Sequence, residues 1–212
     1  MRNDASAPSI RITFRHILFT PSVAFPLVPF RGSVEGMKYD LRYPTGKFLL
    51  PDSLSAKERE VALQRITELP EKLRSAVDGL SQSQIDSPYR EGGWTVLQTV
   101  HHVADSHMLG YGRMRLALTE DWPAITAYQQ NLWAELVDAR TQPIEISLQL
   151  LHALHTRWVA LLRALDEVSW TQRGYKHPKS GNQTLEQTLA LYAWHGGHHT
   201  AHITSLRERM GW

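Results

Sequence analysis

The sequence contains no cysteine. That excludes disulfides, thiolate metal sites and a cysteine nucleophile, and leaves histidine and carboxylate as the side chains able to meet a transition metal. It contains no run of the roughly 18 apolar residues that a membrane span needs. It also lacks an excess of charge. With 23 Lys and Arg against 21 Asp and Glu, the formal net charge is +2, too little to direct the chain to nucleic acid or an anionic membrane. The pI near 8.9 reflects a slight basic excess spread along the chain. Nothing repeats at a fixed period, and no alternating strand pattern lasts more than a few residues. A cytoplasmic protein is expected, consistent with the missing disulfides.

What is present fits one domain: 212 residues, 42% of them hydrophobic, enough for a single filled core. Residues 1–36 read differently from the rest, with several arginines, few acids, and Pro21, Pro26 and Pro29 interrupting the apolar stretch. A targeting peptide and a secretory leader are two readings of this segment. A third, which we prefer, is that translation begins at Met37. The expected division is therefore a non-core extension over 1–36 and a helical domain over 37–212.

From Met37 an extended, turn-rich arm is expected, punctuated by Pro44, Gly46 and Pro51. A helix should start near Leu54, with Val61, Leu63, Ile66 and Leu69 on its apolar face. Pro70 should kink or restart it, because proline cannot donate the i to i−4 bond. Residues 81–94 read as a loop. Thr95 and Gln98 form a capping box for a helix over Val96 to about Thr119, and Thr184 and Gln187 form another for a helix reaching about Met210. A helical stretch is expected over 124–138. A further helix behind Pro143 carries Leu148, Leu151, Leu154, Trp158, Leu161, Leu162 and Leu165 at a period of 3.6. Residues 169–183 read as a loop or short hairpin. Four substantial helices predict an all-α, up-down four-helix bundle with an N-terminal extended arm.

Against this plain background the histidines stand out: eleven in all, seven of them within 101–107 and 195–202. Residues i and i+4 on a helix share a face, so His195 and His199 can meet one ion, but His198 and His202 have the same spacing. The apolar face of that helix passes through Leu185, Leu189, Tyr192, Ile203, Leu206 and Met210. His199 lies nearest its centre, His195 on its flank, His202 between, and His198 farthest out, which favours His195 and His199. A third ligand must come from the other group. There Val96, Val100, Val103, Tyr111, Met114 and Leu118 define the apolar face. His107 sits near its middle while His102 points away, so periodicity prefers His107 and leaves the choice open. His16, His152, His155 and His177 read as ordinary histidines.

The segments PYREGGWTVLQTVHHVADSHM (88–108) and LYAWHGGHHTAHI (191–203), with the terminal RMGW, resemble the DinB-like superfamily. Within it they are similar to the YfiT branch, described as metal-dependent hydrolases and bacillithiol S-transferases. The DLRYPTGKF arm and the TEDWPAI segment fit as well, so the resemblance runs from about Tyr39 to Trp212. It implies a four-helix bundle and one divalent ion, zinc or nickel, held by His102 of the His-Val-Ala-Asp segment and by His195 and His199 of His-x-x-x-His. It therefore favours His102 over His107. A homodimer is also implied. Gly196 and Gly197 depart from the bulkier or polar residues that relatives carry; they cost the helix about 1 kcal/mol each and suggest space for a substrate.

Three neutral histidines with open coordination positions fit a catalytic site. The ion can make hydroxide from water, giving hydrolysis, or thiolate from a thiol, giving S-transfer to an electrophile. S-transfer is slightly preferred, and without cysteine the chain needs a low-molecular-weight thiol as cosubstrate. Asp105 is read either as orienting a ligand imidazole or accepting a proton, or as a solvated salt-bridge partner. Two other classes remain: a binder of metal or ligand without catalysis, and a scaffold with a structural metal.

Overall fold

The computed structural model describes residues 40–212. The extension expected over 1–36 lies outside the described residues. The helices among the described residues are α1 (Ala56–Val77), α2 (Gln82–Ile85), α3 (Val96–Thr119), α4 (Gln130–Trp133), α5 (Val137–Thr141), α6 (Ile144–Arg163), α7 (Glu167–Gln172) and α8 (Leu185–Met210). An antiparallel hairpin, β1 (Gly174–His177) and β2 (Gly181–Thr184), occupies the region read as a loop or hairpin.

The long helices start where local chemistry says they should. Ser55 with Glu58, Thr95 with Gln98 and Thr184 with Gln187 all form reciprocal capping boxes that satisfy otherwise orphaned N–H groups. Two of these glutamines also hold the chain elsewhere. Gln98 Nε2 donates to the Ala134 carbonyl at 2.8 Å, and Gln187 Nε2 to the Pro51 carbonyl at 3.0 Å. The caps thereby pin the α3–α6 connection and the N-terminal arm.

Helices α1, α3, α6 and α8 form the four-helix bundle, with α1 and α3 each packed against both α6 and α8. Their directions follow from their contacts. Arg59 and Glu186, near the starts of α1 and α8, pair at 3.2 Å, and Arg207 near the end of α8 donates to the Ala76 carbonyl at the end of α1 at 2.9 Å. These two helices are parallel. So are α3 and α6, joined by His101 and Ser147 near their starts and by Trp158 and Met114 further along. Arg74, late in α1, pairs with Glu145 at the start of α6, making those two antiparallel. The order is up, down, down, up rather than simple alternation. The reason is the α3–α6 connection, residues 120–143, which returns the full length of the bundle and so allows parallel neighbours.

That connection is where sequence and structure differ most. Residues 124–129 are not helical; helix is confined to the short α4 and α5. Lys176 donates to the Pro123 carbonyl at 2.9 Å and accepts from Ile125 at 3.0 Å, so the hairpin captures the segment as a strand-like edge before helix can form. At Pro70 α1 does not restart but continues as one helix.

Two apolar clusters fill the bundle. One contains Ile66, Met114, Trp158, Leu185, Leu189 and Tyr192, the other Leu73, Val96, Val100, Leu151, Ile203 and Leu206. His102, His107, His155, His195 and His199 lie between them. In this layer the helix backbones come close. A Cβ added to Gly110 would stand 2.3 Å from the Tyr192 ring, and one on Gly196 would stand 2.2 Å from Leu69 Cδ2, whereas one on Gly197 meets nothing within 4 Å. Gly110→Ala is accordingly expected to lose about 1–3 kcal/mol through overpacking, despite a helix-propensity gain of about 1 kcal/mol. Gly197→Ala should gain about 0.5–1 kcal/mol. Urea midpoints decide this, and a stabilised Gly110→Ala would contradict the close approach.

Candidate metal centre

His102 extends from α3, and His195 and His199 from adjacent turns of the antiparallel α8. One ring nitrogen from each lies within 4.8 Å of those of the other two. The Nε2 atoms of His102 and His195 are 3.2 Å apart, close to the roughly 3.3 Å between ligands about 2.05 Å from a tetrahedrally coordinated zinc. Trp94 walls the site, its ring centroid 4.6 Å from that of His102.

Burial sets the protonation states. It depresses the His102 pKa to about 4 and those of His195 and His199 well below the ordinary histidine value, with neighbouring imidazoles pushing the same way. All three are neutral at pH 7 and have a lone pair to give. The other ring nitrogen of each meets a partner. Tyr128 Oη lies 3.4 Å from His102 Nδ1, and burial pushes its pKa up to about 12, so it stays a neutral hydroxyl. His107 Nε2 lies 3.2 Å from His195 Nδ1. His202 Nδ1 lies 3.4 Å from His199 Nδ1, while its own Nε2 donates to the Arg42 carbonyl of the arm at 3.2 Å.

The donor set fits a divalent ion. With Nδ1 of His195 and of His102 turned outward as donors, two unprotonated Nε2 atoms face each other and require a cation between them. The metal-free protein can meet the same need with a proton on His102 Nε2 while Tyr128 donates to its Nδ1.

The other candidate residues lie away from this meeting point. His107 is not at the meeting point; fully buried, it stands one layer behind His195. His198, expected to point farthest out, is only 6% exposed, because Thr45 and Tyr43 of the arm and the stacked Trp194 cover it. His101 bridges Ser147 and the Gln142 carbonyl and ties α3 to the start of α6. Asp105 makes no hydrogen bond to His102 among the described contacts, since Tyr128 occupies that position. Burial and the Asp138 carboxylate push the Asp105 carboxyl above the usual range, partly offset by His101. Tyr128, His155 and the Arg42 carbonyl were missed. For His155 a signal existed: proline within a helix frees a carbonyl that a nearby donor can use. For Tyr128 there was none, because it sits in the connection that the hairpin captures.

His195 and His199 line a cavity of about 890 Å³, whose wall also includes Arg42, Arg90, Arg140, Trp94 and Tyr89; His102 stands behind them. Gly196 and Gly197 do not line it; Gly196 packs against Leu69, while Gly197 lines a separate hollow of about 450 Å³ with Thr45 and His198. Among the described residues no helix is long and apolar enough to cross a membrane.

Known proteins share this sequence and fold. Residues 65–203 match the model of the DinB superfamily. A protein of Bacillus mycoides (strain KBAB4) named "Putative metal-dependent hydrolase" is 49% identical over 173 residues, covering 82% of this chain and 99% of its own length. A protein of the same name from Bacillus cereus (strain B4264) matches equally well. Among solved structures, YfiT from Bacillus subtilis, described as "a probable metal-dependent hydrolase with an unusual four-helix bundle topology", superposes with a TM-score of 0.79 at 48% identity. The match covers 81% of this chain and 98% of that one.

Proposed function

This chain belongs to the DinB superfamily, and we propose that it is a divalent-metal-dependent enzyme that activates a low-molecular-weight thiol for S-transfer to an electrophile. His102, His195 and His199 hold the ion, zinc first and nickel second. The observation that carries the reading is the convergence of three neutral imidazoles, two of which, His195 and His199, open onto a cavity. A structural zinc is closed by four protein ligands, whereas a catalytic one keeps a position open.

When bound, the ion supplies Lewis acidity that makes hydroxide or thiolate available near neutral pH. The chain's own residues do the rest. Neutral imidazoles leave the ion's charge uncancelled; of the three arginines on the cavity wall, Arg42 is paired with Asp40 and Arg140 with Glu135, and Arg90 adds positive charge. Trp94 shields one side of the site from water, and Tyr128 holds the His102 ring. In the transfer the thiol gives its proton to solvent, its sulfur bonds to the electrophilic carbon, and the leaving group departs with its electron pair. No thiol exists in the chain, so a small cosubstrate brings it; a cytoplasmic location and a homodimer belong to the same proposal. Exposed Leu132, Leu136 and Val137 support the dimer.

Metal-dependent hydrolysis is the second reading, favoured by the names of the relatives. Zinc-loaded protein mixed with cysteine-derived thiols and 1-chloro-2,4-dinitrobenzene should form conjugate above the uncatalysed rate, lose that activity with chelator and regain it with zinc. Ester hydrolysis without thiol would favour the second reading. Zinc binding without turnover of either kind would leave a non-catalytic metal binder.

A further inference from the structure

His107 and His155 lie outside the three-histidine cluster, and neither reaches the cavity. His107 is 0% and His155 2% exposed, yet every ring nitrogen of the two has a partner. The partners fix where each proton sits. Pro70 has no N–H, so the Ile66 carbonyl one turn earlier lacks its helical donor. That carbonyl lies 2.6 Å from His155 Nδ1. A carbonyl only accepts, so His155 Nδ1 carries hydrogen.

A neutral imidazole has one N–H, so His155 Nε2 accepts. It lies 3.0 Å from His107 Nδ1, which must therefore donate. By the same rule His107 Nε2 accepts, and its partner at 3.2 Å, His195 Nδ1, donates. His195 Nε2 is then left with a lone pair, facing His102. Both rings are buried, and their ring nitrogens meet only other imidazoles and a backbone carbonyl, with no carboxylate to hold a charge, so each is neutral.

We propose that His107 and His155 are positioning residues: a buried relay that starts at the Ile66 carbonyl freed by Pro70 and presents His195 with Nδ1 protonated and Nε2 open toward the centre. The proposal rests on the metal-binding reading for its purpose but not for its hydrogen bonds, which exist in the protein without an ion. Ligand histidines usually donate their second N–H to a carboxylate, a backbone carbonyl or water. Here the carbonyl is reached through two intervening imidazoles. The relay is uncharged, so it orients the ligand without cancelling charge at the site, as an anionic partner would.

The relay and simple core filling predict opposite rankings of substitutions. His107→Leu preserves volume and apolar packing but removes the acceptor for His195. His107→Gln places an amide oxygen near the lost Nε2 and keeps that acceptor. We expect zinc affinity, measured by competition with a chromophoric chelator, to fall about 10–100-fold in His107→Leu and to recover most of that loss in His107→Gln. If core filling were the role, leucine would bind zinc as well as wild type and glutamine would be the worse substitution. Histidine ¹⁵N spectra of wild type with and without zinc provide an independent readout should a variant fail to fold. The relay predicts the Nδ1–H tautomer for His107, His155 and His195 in both states. An Nε2–H tautomer at either His107 or His155 overturns the relay, whereas correct tautomers in a protein that binds no zinc overturn only the metal reading.

Discussion

Replacing His195 by alanine is expected to reduce bound divalent ion from about one per chain to below a tenth, and to remove thiol-transfer activity with it. His195 is the joint of the site: its Nε2 lies 3.2 Å from that of His102, and its ring centroid lies 4.5 Å from that of His199. Two remaining imidazoles cannot hold an ion against dialysis, and no carboxylate stands in the cluster to take the third place. The fold should survive, since apolar clusters on either side of the histidine layer hold the four helices. The loss leaves His107 Nε2 without its donor, at a cost of about 1–3 kcal/mol. Asp105→Asn is the matched control. Because Tyr128 rather than Asp105 meets His102 Nδ1, its metal content should equal that of wild type. Plasma mass spectrometry after dialysis reads both variants; an ion retained by His195→Ala would contradict the site.

The metal-free protein is expected to unfold in mild acid. Burial lowers the pKa of His102, His155 and His198 to about 4 each, from an ordinary 6.5, and lowers His107, His195, His199 and His202 as well. Between pH 6.5 and 4 the unfolded chain therefore takes up protons that the folded chain refuses. Stability rises with pH wherever the unfolded state binds more protons, so it must fall as pH drops through this window. For His155 alone the span from 6.5 to about 4 corresponds to roughly 3 kcal/mol. A typical domain has only about 5–15 kcal/mol in total, so a few such groups consume it. Zinc should shift the transition to lower pH, because an ion bound only to the folded state adds stability in proportion to its occupancy. Urea midpoints of chelator-treated protein should decline steadily from pH 7 to 4.5. A flat profile would mean that these imidazoles are not held neutral by burial.

Much of the bundle was legible because its signals are local. Thr95 with Gln98 and Thr184 with Gln187 cap helices through bonds three residues apart, and those caps stand where the spacing placed them. The His195–His199 pair follows from one turn of helix. The third histidine was harder for a geometric reason. Periodicity finds the residue aimed at the core, and on α3 that is His107, which is indeed fully buried. The meeting point lies instead in the groove between neighbouring α3 and α8, reached from the flank by His102. Only the resemblance to a known family pointed to His102.

The features that escaped depend on distant partners. Residues 124–129 give up helix because Lys176, some fifty positions later, takes their backbone bonds. The up, down, down, up order rests on the length of that same connection. His198 is covered by the arm through Thr45, which lies 153 residues earlier in the chain. Each is a long-range contact that no local pattern encodes.

X-ray absorption at the zinc edge of zinc-loaded wild type tests the three-histidine centre most directly. The account predicts three imidazole nitrogens at about 2.0–2.1 Å, with the multiple-scattering pattern of rigid rings and the remaining position filled by an exchangeable light atom. A shell of carboxylate and water oxygens carrying fewer than two imidazoles would contradict it.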